Sequence, residues 1–158
     1  MNNHSLFLSL SSNKKKYIKK SYYLISKLIG TIIIKSSLFE SQLYIYIVIQ
    51  INTELSPIQI LKTILYIESI LEKKQKISIQ QPVLQLYNNK VIDIKILLYD
   101  NMILNSETIQ IPHPLLHIKK FILIPMCEIQ PLKYHPIFHR SVLELLGICT
   151  DTIIVKKI

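Results

Sequence analysis

Short apolar runs separated by polar segments predict a chain of mixed strands and helices. Residues 5–10, 31–35, 43–53 and 91–98 are predicted as strands. Residues 13–28 are predicted as a helix, with Gly30 as its C-cap. In the strand at 43–53 the odd-numbered positions are apolar from Leu43 to Ile51, which predicts a core face. The even-numbered positions from Tyr44 to Asn52 are mixed, so that face is predicted to meet a ligand or a second layer.

A second helix is predicted to begin at Ser56, because Pro57 suits the first helical position and Gln59 completes a capping box. The element order is then strand, helix, strand, strand, helix, strand. That order predicts an α+β fold of the ferredoxin-like, split βαβ kind, with a mainly antiparallel sheet and helices on both faces. Residues 73–90 lack a pattern and are predicted as a long loop, of a length often used for functional lids.

The strand at 91–98 is predicted to place Ile92, Ile94, Ile96 and Leu98 in the core and Asp93 and Lys95 on its other face. Residues 102–104 and 108–111 are predicted as short strands that extend the sheet, before Pro112 and Pro114 break the chain. Helices are predicted at 121–129 and 141–146, and a last strand at 152–156. Residues 1–158 are predicted to form a single domain.

The composition narrows the class of protein. Of the 158 residues 49% are hydrophobic and 18% are charged, which argues against a disordered chain. The longest apolar run is too short to cross a bilayer, and the first residues do not have the pattern of a signal peptide. The two cysteines form no motif, so a reducing, cytoplasmic location is expected.

The formal net charge of +9 has two interpretations. The chain is rich in Ile, Lys, Asn and Tyr, and it has one arginine and no alanine, which indicates an AT-rich genome and a drift toward lysine codons. Alternatively the charge attracts phosphate, in a nucleotide or in nucleic acid. A basic ferredoxin-like module could stack RNA bases on the tyrosines of its sheet, but the strands carry no aromatic-rich RNA motif, so nucleic acid is the weaker alternative.

Several collinear segments are similar to the motifs of one enzyme family. They are Phe7-Leu8-Ser9-Leu10-Ser11-Ser12-Asn13, Thr53-Glu54-Leu55-Ser56-Pro57, Ile67-Glu68, Ile92-Asp93-Ile94-Lys95-Ile96, Ile111-Pro112-His113-Pro114 and residues 121–129. The set resembles the hydroxymethyl-dihydropterin pyrophosphokinases of folate biosynthesis, and the ending from His135 to Lys157 resembles their Bacteroidota branch. The resemblance implies transfer of a diphosphoryl group from ATP to 6-hydroxymethyl-7,8-dihydropterin, with Mg²⁺ as the central electrophile.

The resemblance also implies roles for individual residues. Asp93 matches a magnesium ligand, and Lys90 and Lys95 stand among the catalytic positions. On the nucleotide side it implies ATP contacts from Glu68, His113 and Lys119. Tyr44 and Phe121 match the two rings that hold the pterin between them, and Tyr46 stands where the family reads the pterin with an asparagine. A monomer is expected, with ATP and the pterin as its partners.

Several positions depart from the family. Lys95 replaces the second aspartate, Tyr46 cannot supply an amide's paired donor and acceptor, and Ser11 replaces a glycine. The lid has lysines where the family has arginines, at Lys73, Lys74, Lys76 and Lys90. The chain also lacks most of the pterin loop between Glu40 and Tyr44. These departures leave open an enzyme of reduced activity or an inactive homologue.

Histidine spacing allows one further hypothesis. His113 and His117, like His135 and His139, are four residues apart, a spacing that would suit zinc on a helix. The neighbouring prolines argue against a regular helix there, so zinc is disfavoured.

Overall fold

The computed structural model describes residues 3–76 and 90–158, and for residues 73–76 it describes the backbone alone. The described residues form eight strands and four helices. In chain order these are β1 (His4–Ser12), α1 (Lys15–Leu28), β2 (Gly30–Lys35), β3 (Phe39–Ser41), β4 (Tyr44–Thr53), α2 (Pro57–Lys76), β5 (Asp93–Tyr99), β6 (Leu104–Asn105), β7 (Gln110–Ile111), α3 (Lys120–Ile129), α4 (Val142–Ile148) and β8 (Lys156–Lys157).

The main sheet has six strands in the order β5-β1-β4-β3-β8, and β2 also pairs with β4. Every pairing in it is antiparallel. β1 and β4 therefore lie at the centre and β5 lies at an edge. This arrangement confirms the predicted α+β fold with a mainly antiparallel sheet.

Helices cover both faces of this sheet, as predicted. The apolar positions of α1 and α2 pack on one face, against a core that includes Leu8, Ile49 and Ile94. On the other face α3 and α4 pack against a second core that includes Phe7 and Val48. Because β-strand side chains alternate between faces, the single strand β1 supplies both cores, Leu8 to the first and Phe7 to the second.

The start of α2 follows its predicted capping box. The backbone N–H of Ser56 donates to Oε1 of Gln59 at 2.9 Å, and the backbone N–H of Gln59 donates to Oγ of Ser56 at 3.4 Å. These two bonds satisfy donors that a helix start otherwise leaves without partners. Ser141 and Glu144 form the same reciprocal pair at α4.

Gly30 does not cap α1, contrary to the prediction. It is the first residue of β2, and Ile29 ends the helix in a right-handed conformation. The backbones of β2 and β4 come so close here that a Cβ added at Gly30 would lie 2.2 Å from the carbonyl oxygen of Asn52. Glycine is therefore required by close backbone approach and not by a left-handed turn.

Two predicted core positions lie elsewhere. Leu43 is 88% exposed, because it occupies the tight turn between β3 and β4 with φ 71°. Leu98 is buried, but in the core under α3 and α4. The register of β5 against β1 shifts between Phe7 and Leu8, so Leu97 is inserted and the side chains after it change face.

The predicted short strands and the loop also differ from the structure. β6 and β7 pair with each other in a separate two-stranded sheet and do not extend the main one. The last strand is restricted to Lys156–Lys157. α2 continues to Lys76, so residues 73–76 are helical and not loop, and the rest of the predicted loop, 77–89, lies outside the described residues. Within the described chain, every helix is too short or too polar to cross a membrane.

Candidate functional site

Three polar residues lie side by side on the sheet face that α3 covers. Ser11 of β1 is paired with Tyr46 of β4 on one side and with Asp93 of β5 on the other. Directly paired residues point to the same face, and neighbouring strands are about 4.8 Å apart, so the backbones of Tyr46 and Asp93 are separated by roughly 10 Å. Asp93, the predicted magnesium ligand, and Tyr46 of the predicted pterin site are therefore brought together on one surface.

A cavity of about 480 Å³ opens beside the edge strand β5. It lies between α2, β5 and the segment at 106–114, and it is lined by both apolar and charged side chains. The charged or titratable lining residues are Glu68, Lys90, Lys95, Glu107 and His113. Sequence reasoning missed the contribution of 106–110, where two very short strands give no periodic signal. A volume of this order suits a small-molecule ligand.

Asp93 lies between two ammonium groups. Its Oδ1 is 3.5 Å from Nζ of Lys90 and 3.4 Å from Nζ of Lys95. All three side chains are about half exposed, so solvent screens these ion pairs and each one stabilises the fold little. An ammonium group has three donors, and each lysine directs one of them to Asp93.

Glu68 is buried, with 7% of its surface exposed, and reaches from α2 to the edge of the sheet. Its Oε2 accepts a 2.9 Å hydrogen bond from the backbone N–H of Ile94, and its Oε1 lies 3.5 Å from Nζ of Lys90. Burial raises the pKa of Glu68, while the Ile94 hydrogen bond and Lys90 oppose that rise. Glu68 is therefore a buried, hydrogen-bonded carboxyl group and not a solvated charge on the surface of α2. Its hydrogen bond holds β5 at Ile94, between Asp93 and Lys95.

His113 lines the same cavity. Its Nδ1 accepts a 3.0 Å hydrogen bond from the backbone N–H of Leu115. Burial lowers the pKa of His113, and the positive charge of Lys95 lowers it further. The ring is therefore neutral at pH 7, with its hydrogen on Nε2, where it can donate to an anion.

Lys119 lies at the N-cap of α3 and is not among the residues that line the cavity. The nearby Asp151 accepts a 3.0 Å hydrogen bond from the backbone N–H of Lys120. That bond, at the positive end of the helix dipole, lowers the pKa of Asp151. The charges of Lys119 and Lys120 lower the pKa of Asp151 as well, so this carboxylate would compete with a ligand anion for the two lysines.

The aromatic residues are arranged differently from the expected sandwich of Tyr44 and Phe121. The ring stacked on Phe121 is that of Tyr46, with 4.5 Å between centroids and 28° between planes. Tyr44 lies 6.5 Å from Tyr46 and forms the outer ring of the group. Burial raises the pKa of Tyr46, and Tyr44 and Asp93 raise it further, so its phenol is neutral at pH 7.

Whether a magnesium ion can bind at Asp93 depends on the phosphate groups that would bind together with it. Among the described residues there is no group of three or more His, Cys, Asp or Glu side chains placed to hold a metal ion. Asp93 offers one carboxylate, and magnesium is commonly held by one or two carboxylates together with substrate phosphates and water. The residues therefore fit magnesium that arrives with a triphosphate. The zinc hypothesis has no support, since Nδ1 of the buried His135 accepts backbone hydrogen bonds from Ile137 and Phe138.

Comparison with known proteins identifies one family. The family model of 7,8-dihydro-6-hydroxymethylpterin-pyrophosphokinase (HPPK) matches residues 7–131. The 2-amino-4-hydroxy-6-hydroxymethyldihydropteridine pyrophosphokinase of Aquifex aeolicus is 29% identical over 107 residues, which cover 67% of this chain and 62% of that protein. The folic acid synthesis protein FOL1 of Dictyostelium discoideum is 32% identical over 92 residues, 57% of this chain and 12% of that protein. The chain thus spans less than two thirds of these relatives.

Solved structures agree on the fold. A Plasmodium falciparum HPPK-DHPS triple mutant superposes with a TM-score of 0.73 over 92% of this chain and 43% of that one, at 13% identity. The wild-type protein from the same organism gives a TM-score of 0.71 over 91% of this chain and 43% of that one, at 14% identity. At such low identity the likeness concerns the fold.

Proposed function

Because the chain belongs to the 7,8-dihydro-6-hydroxymethylpterin-pyrophosphokinase family, we propose that it transfers a diphosphoryl group from ATP to the hydroxymethyl group of 6-hydroxymethyl-7,8-dihydropterin in folate biosynthesis. The observation that carries the proposal is the pairing of Asp93, Ser11 and Tyr46 across three strands. This pairing places a charged cluster (Lys90, Asp93 and Lys95) and an aromatic cluster (Tyr44, Tyr46 and Phe121) roughly 10 Å apart on one face of the sheet. A triphosphate and a flat heterocycle bound at the two clusters would meet between them.

The charged cluster suits the triphosphate. Lys90 and Lys95 supply ammonium donors at the mouth of the cavity, and the neutral His113 supplies an N–H donor from its wall. Glu68 holds Ile94, and with it the strand that carries Asp93 and Lys95. Such donors neutralise charge on the phosphate oxygens, which is the main contribution a protein makes to phosphoryl transfer.

Asp93 is the proposed magnesium ligand, with phosphate oxygens completing the coordination. When bound, magnesium draws charge from the phosphate oxygens and makes the phosphorus atom a better electrophile. With an ion on Asp93, the ammonium groups of Lys90 and Lys95 would no longer be paired with that carboxylate and could contact the phosphates. Lys119, at the start of α3, is proposed as a further contact to the ATP phosphates.

No protein nucleophile is needed for the transfer. The substrate's hydroxyl oxygen forms a bond to the β-phosphorus, and the bond between that phosphorus and the bridging oxygen to the α-phosphorus breaks. AMP leaves with the bridging oxygen, and the hydroxyl proton passes to water. The protein's part is to align the two substrates and to exclude other acceptors.

The alternative of an inactive homologue rests on Asp93, whose carboxylate is already ion-paired with two lysines. A coupled assay for AMP release with ATP, magnesium and the dihydropterin separates the alternatives. AMP release that depends on the pterin and falls in Asp93→Asn is expected. A folded protein that binds both substrates and releases no AMP would establish the inactive homologue.

RNA binding is less well supported, because helices pack on both faces of the sheet and leave only the end of one face, at Tyr44, Tyr46 and Asp93, partly exposed for stacked bases. We further propose that the protein acts as a monomer, with residues 1–158 as one domain. A cytoplasmic location is in keeping with Cys127 and Cys149, which form no disulfide in the described structure.

A further inference from the structure

The ring of Tyr46 is stacked on Phe121, the aromatic residue on which the proposed pterin would stack. Its centroid is 4.5 Å from that of Phe121, and the planes differ by 28°, which is a closed stack. Carbon atoms in contact are about 3.5–4.0 Å apart, so a heterocycle held between two rings needs a separation of roughly 7–8 Å. The gap between Tyr46 and Phe121 is too small for any ligand.

The backbone of Tyr46 has no room to adjust. Tyr46 is paired with Ser11 of β1 on one side and with Phe39 of β3 on the other, so the strand is held along both of its edges. Phe39 is buried, and Phe121 packs partly into the core under α3. Any opening of the stack therefore comes from rotation of the Tyr46 side chain, which is partly exposed.

Tyr44 lies on the same face of β4, and its centroid is 6.5 Å from that of Tyr46 with 47° between the two planes. Rotation of the Tyr46 side chain away from Phe121 would uncover the face of the Phe121 ring that Tyr46 now covers.

We propose that Tyr46 covers one face of the Phe121 ring in the free protein and must leave it before a pterin stacks there. The inference rests on the proposed function, since the ligand is the pterin of that reaction. Tyr46 thereby lowers the affinity for the flat substrate, because binding must first break an aromatic stack.

The affinity test uses 6-hydroxymethylpterin as the probe and its own fluorescence as the signal. Tyr46→Ala is expected to tighten binding between about two- and tenfold, the range that corresponds to the worth of one aromatic pair. Tyr46→Phe keeps the stack and is expected to leave the affinity unchanged. Tyr23→Ala, which removes an exposed tyrosine on α1, is the matched control. Weaker binding by a folded Tyr46→Ala would show that Tyr46 supports the ligand, and would overturn the proposal.

Displacement of the ring can be observed without removing it. In NMR spectra of protein labelled with carbon-13 tyrosine, the ring signal that disappears in Tyr46→Phe belongs to Tyr46. The ring of Phe121 shifts this signal, and the size of that ring-current shift is found by comparison with Phe121→Leu, where the shift is lost. Adding the pterin is expected to abolish that shift. A bound pterin with an unchanged Tyr46 shift would overturn the inference and leave the proposed function intact. Failure of every folded variant to bind the pterin would overturn both.

Discussion

Replacing Lys95 by aspartate should improve the site for magnesium, because it changes the charge beside Asp93 by two units. Nζ of Lys95 lies 3.4 Å from Oδ1 of Asp93. An ion held about 2 Å from that oxygen would lie no more than about 5.5 Å from the ammonium group. At that distance in water, a change of two charge units beside a divalent ion makes the binding free energy of the ion more favourable by about 3 kcal/mol. Screening by physiological salt halves this to about 1.5 kcal/mol, which corresponds to roughly tenfold in affinity.

The assay is a magnesium titration of ATP binding by calorimetry, repeated with AMP release as the readout. Lys95→Asp is expected to reach half-saturation at roughly one tenth of the magnesium needed by the parent protein. Lys27→Asp makes the same change of charge at the far end of α1 and should leave the titration unchanged. Equal magnesium dependence in Lys95→Asp and the parent would refute the reasoning, and would indicate that Lys95 itself serves the phosphates.

Three further predictions concern the fold. Gly30→Ala should lower the free energy of unfolding by about 1–3 kcal/mol, because the added Cβ would collide with the carbonyl oxygen of Asn52. Gly147→Ala should be neutral or stabilising, because its Cβ would meet nothing within 4 Å. Chemical denaturation of the two variants and the parent protein compares their free energies of unfolding. Leu43→Gly should raise the free energy of unfolding by about 1 kcal/mol, because leucine is strained at positive φ. Leu132→Gly is the control, since Leu132 lies at a similarly exposed turn position without positive φ. A loss of stability in Leu43→Gly as large as that in Leu132→Gly would contradict the prediction. The pKa of Asp151 is lowered in the folded state, so its contribution is present above its ordinary value of 3.8 and is lost as pH falls through the folded pKa. The melting temperature of Asp151→Asn should therefore lie below that of the parent at pH 7, and the two should converge as the pH falls below 3.8 and through the folded pKa. A constant difference would count against the helix contact.

The regular elements were predictable because each has a local cause. The alternation in β4 and the Ser56–Gln59 capping pair act within a few residues, and the structure confirms both, except at Leu43 in the turn before β4. Leu98 was placed on the wrong face because a bulge depends on the partner strand, which a single strand's pattern does not reveal. Gly30 was misplaced for the same reason, since its requirement comes from Asn52 across the sheet.

The candidate site was predictable in its charged half. Asp93 and Lys95 are two apart on one strand, so their shared face and their contact follow from the period of a strand. The stack of Tyr46 on Phe121 joins β4 to α3 across the chain, and no local pattern indicates it. The hydrogen bond from Ile94 to Glu68 likewise depends on how α2 lies against the edge of the sheet.

The most direct test of the account is the identity of the products of a single reaction. Phosphorus NMR of the purified protein with ATP, magnesium and 6-hydroxymethyl-7,8-dihydropterin should show AMP and a pterin that carries two phosphorus atoms, in equal amounts. Omitting the pterin should abolish both signals. Formation of ADP with a pterin that carries one phosphorus atom, or hydrolysis of ATP that does not depend on the pterin, would contradict diphosphoryl transfer as the function of this protein.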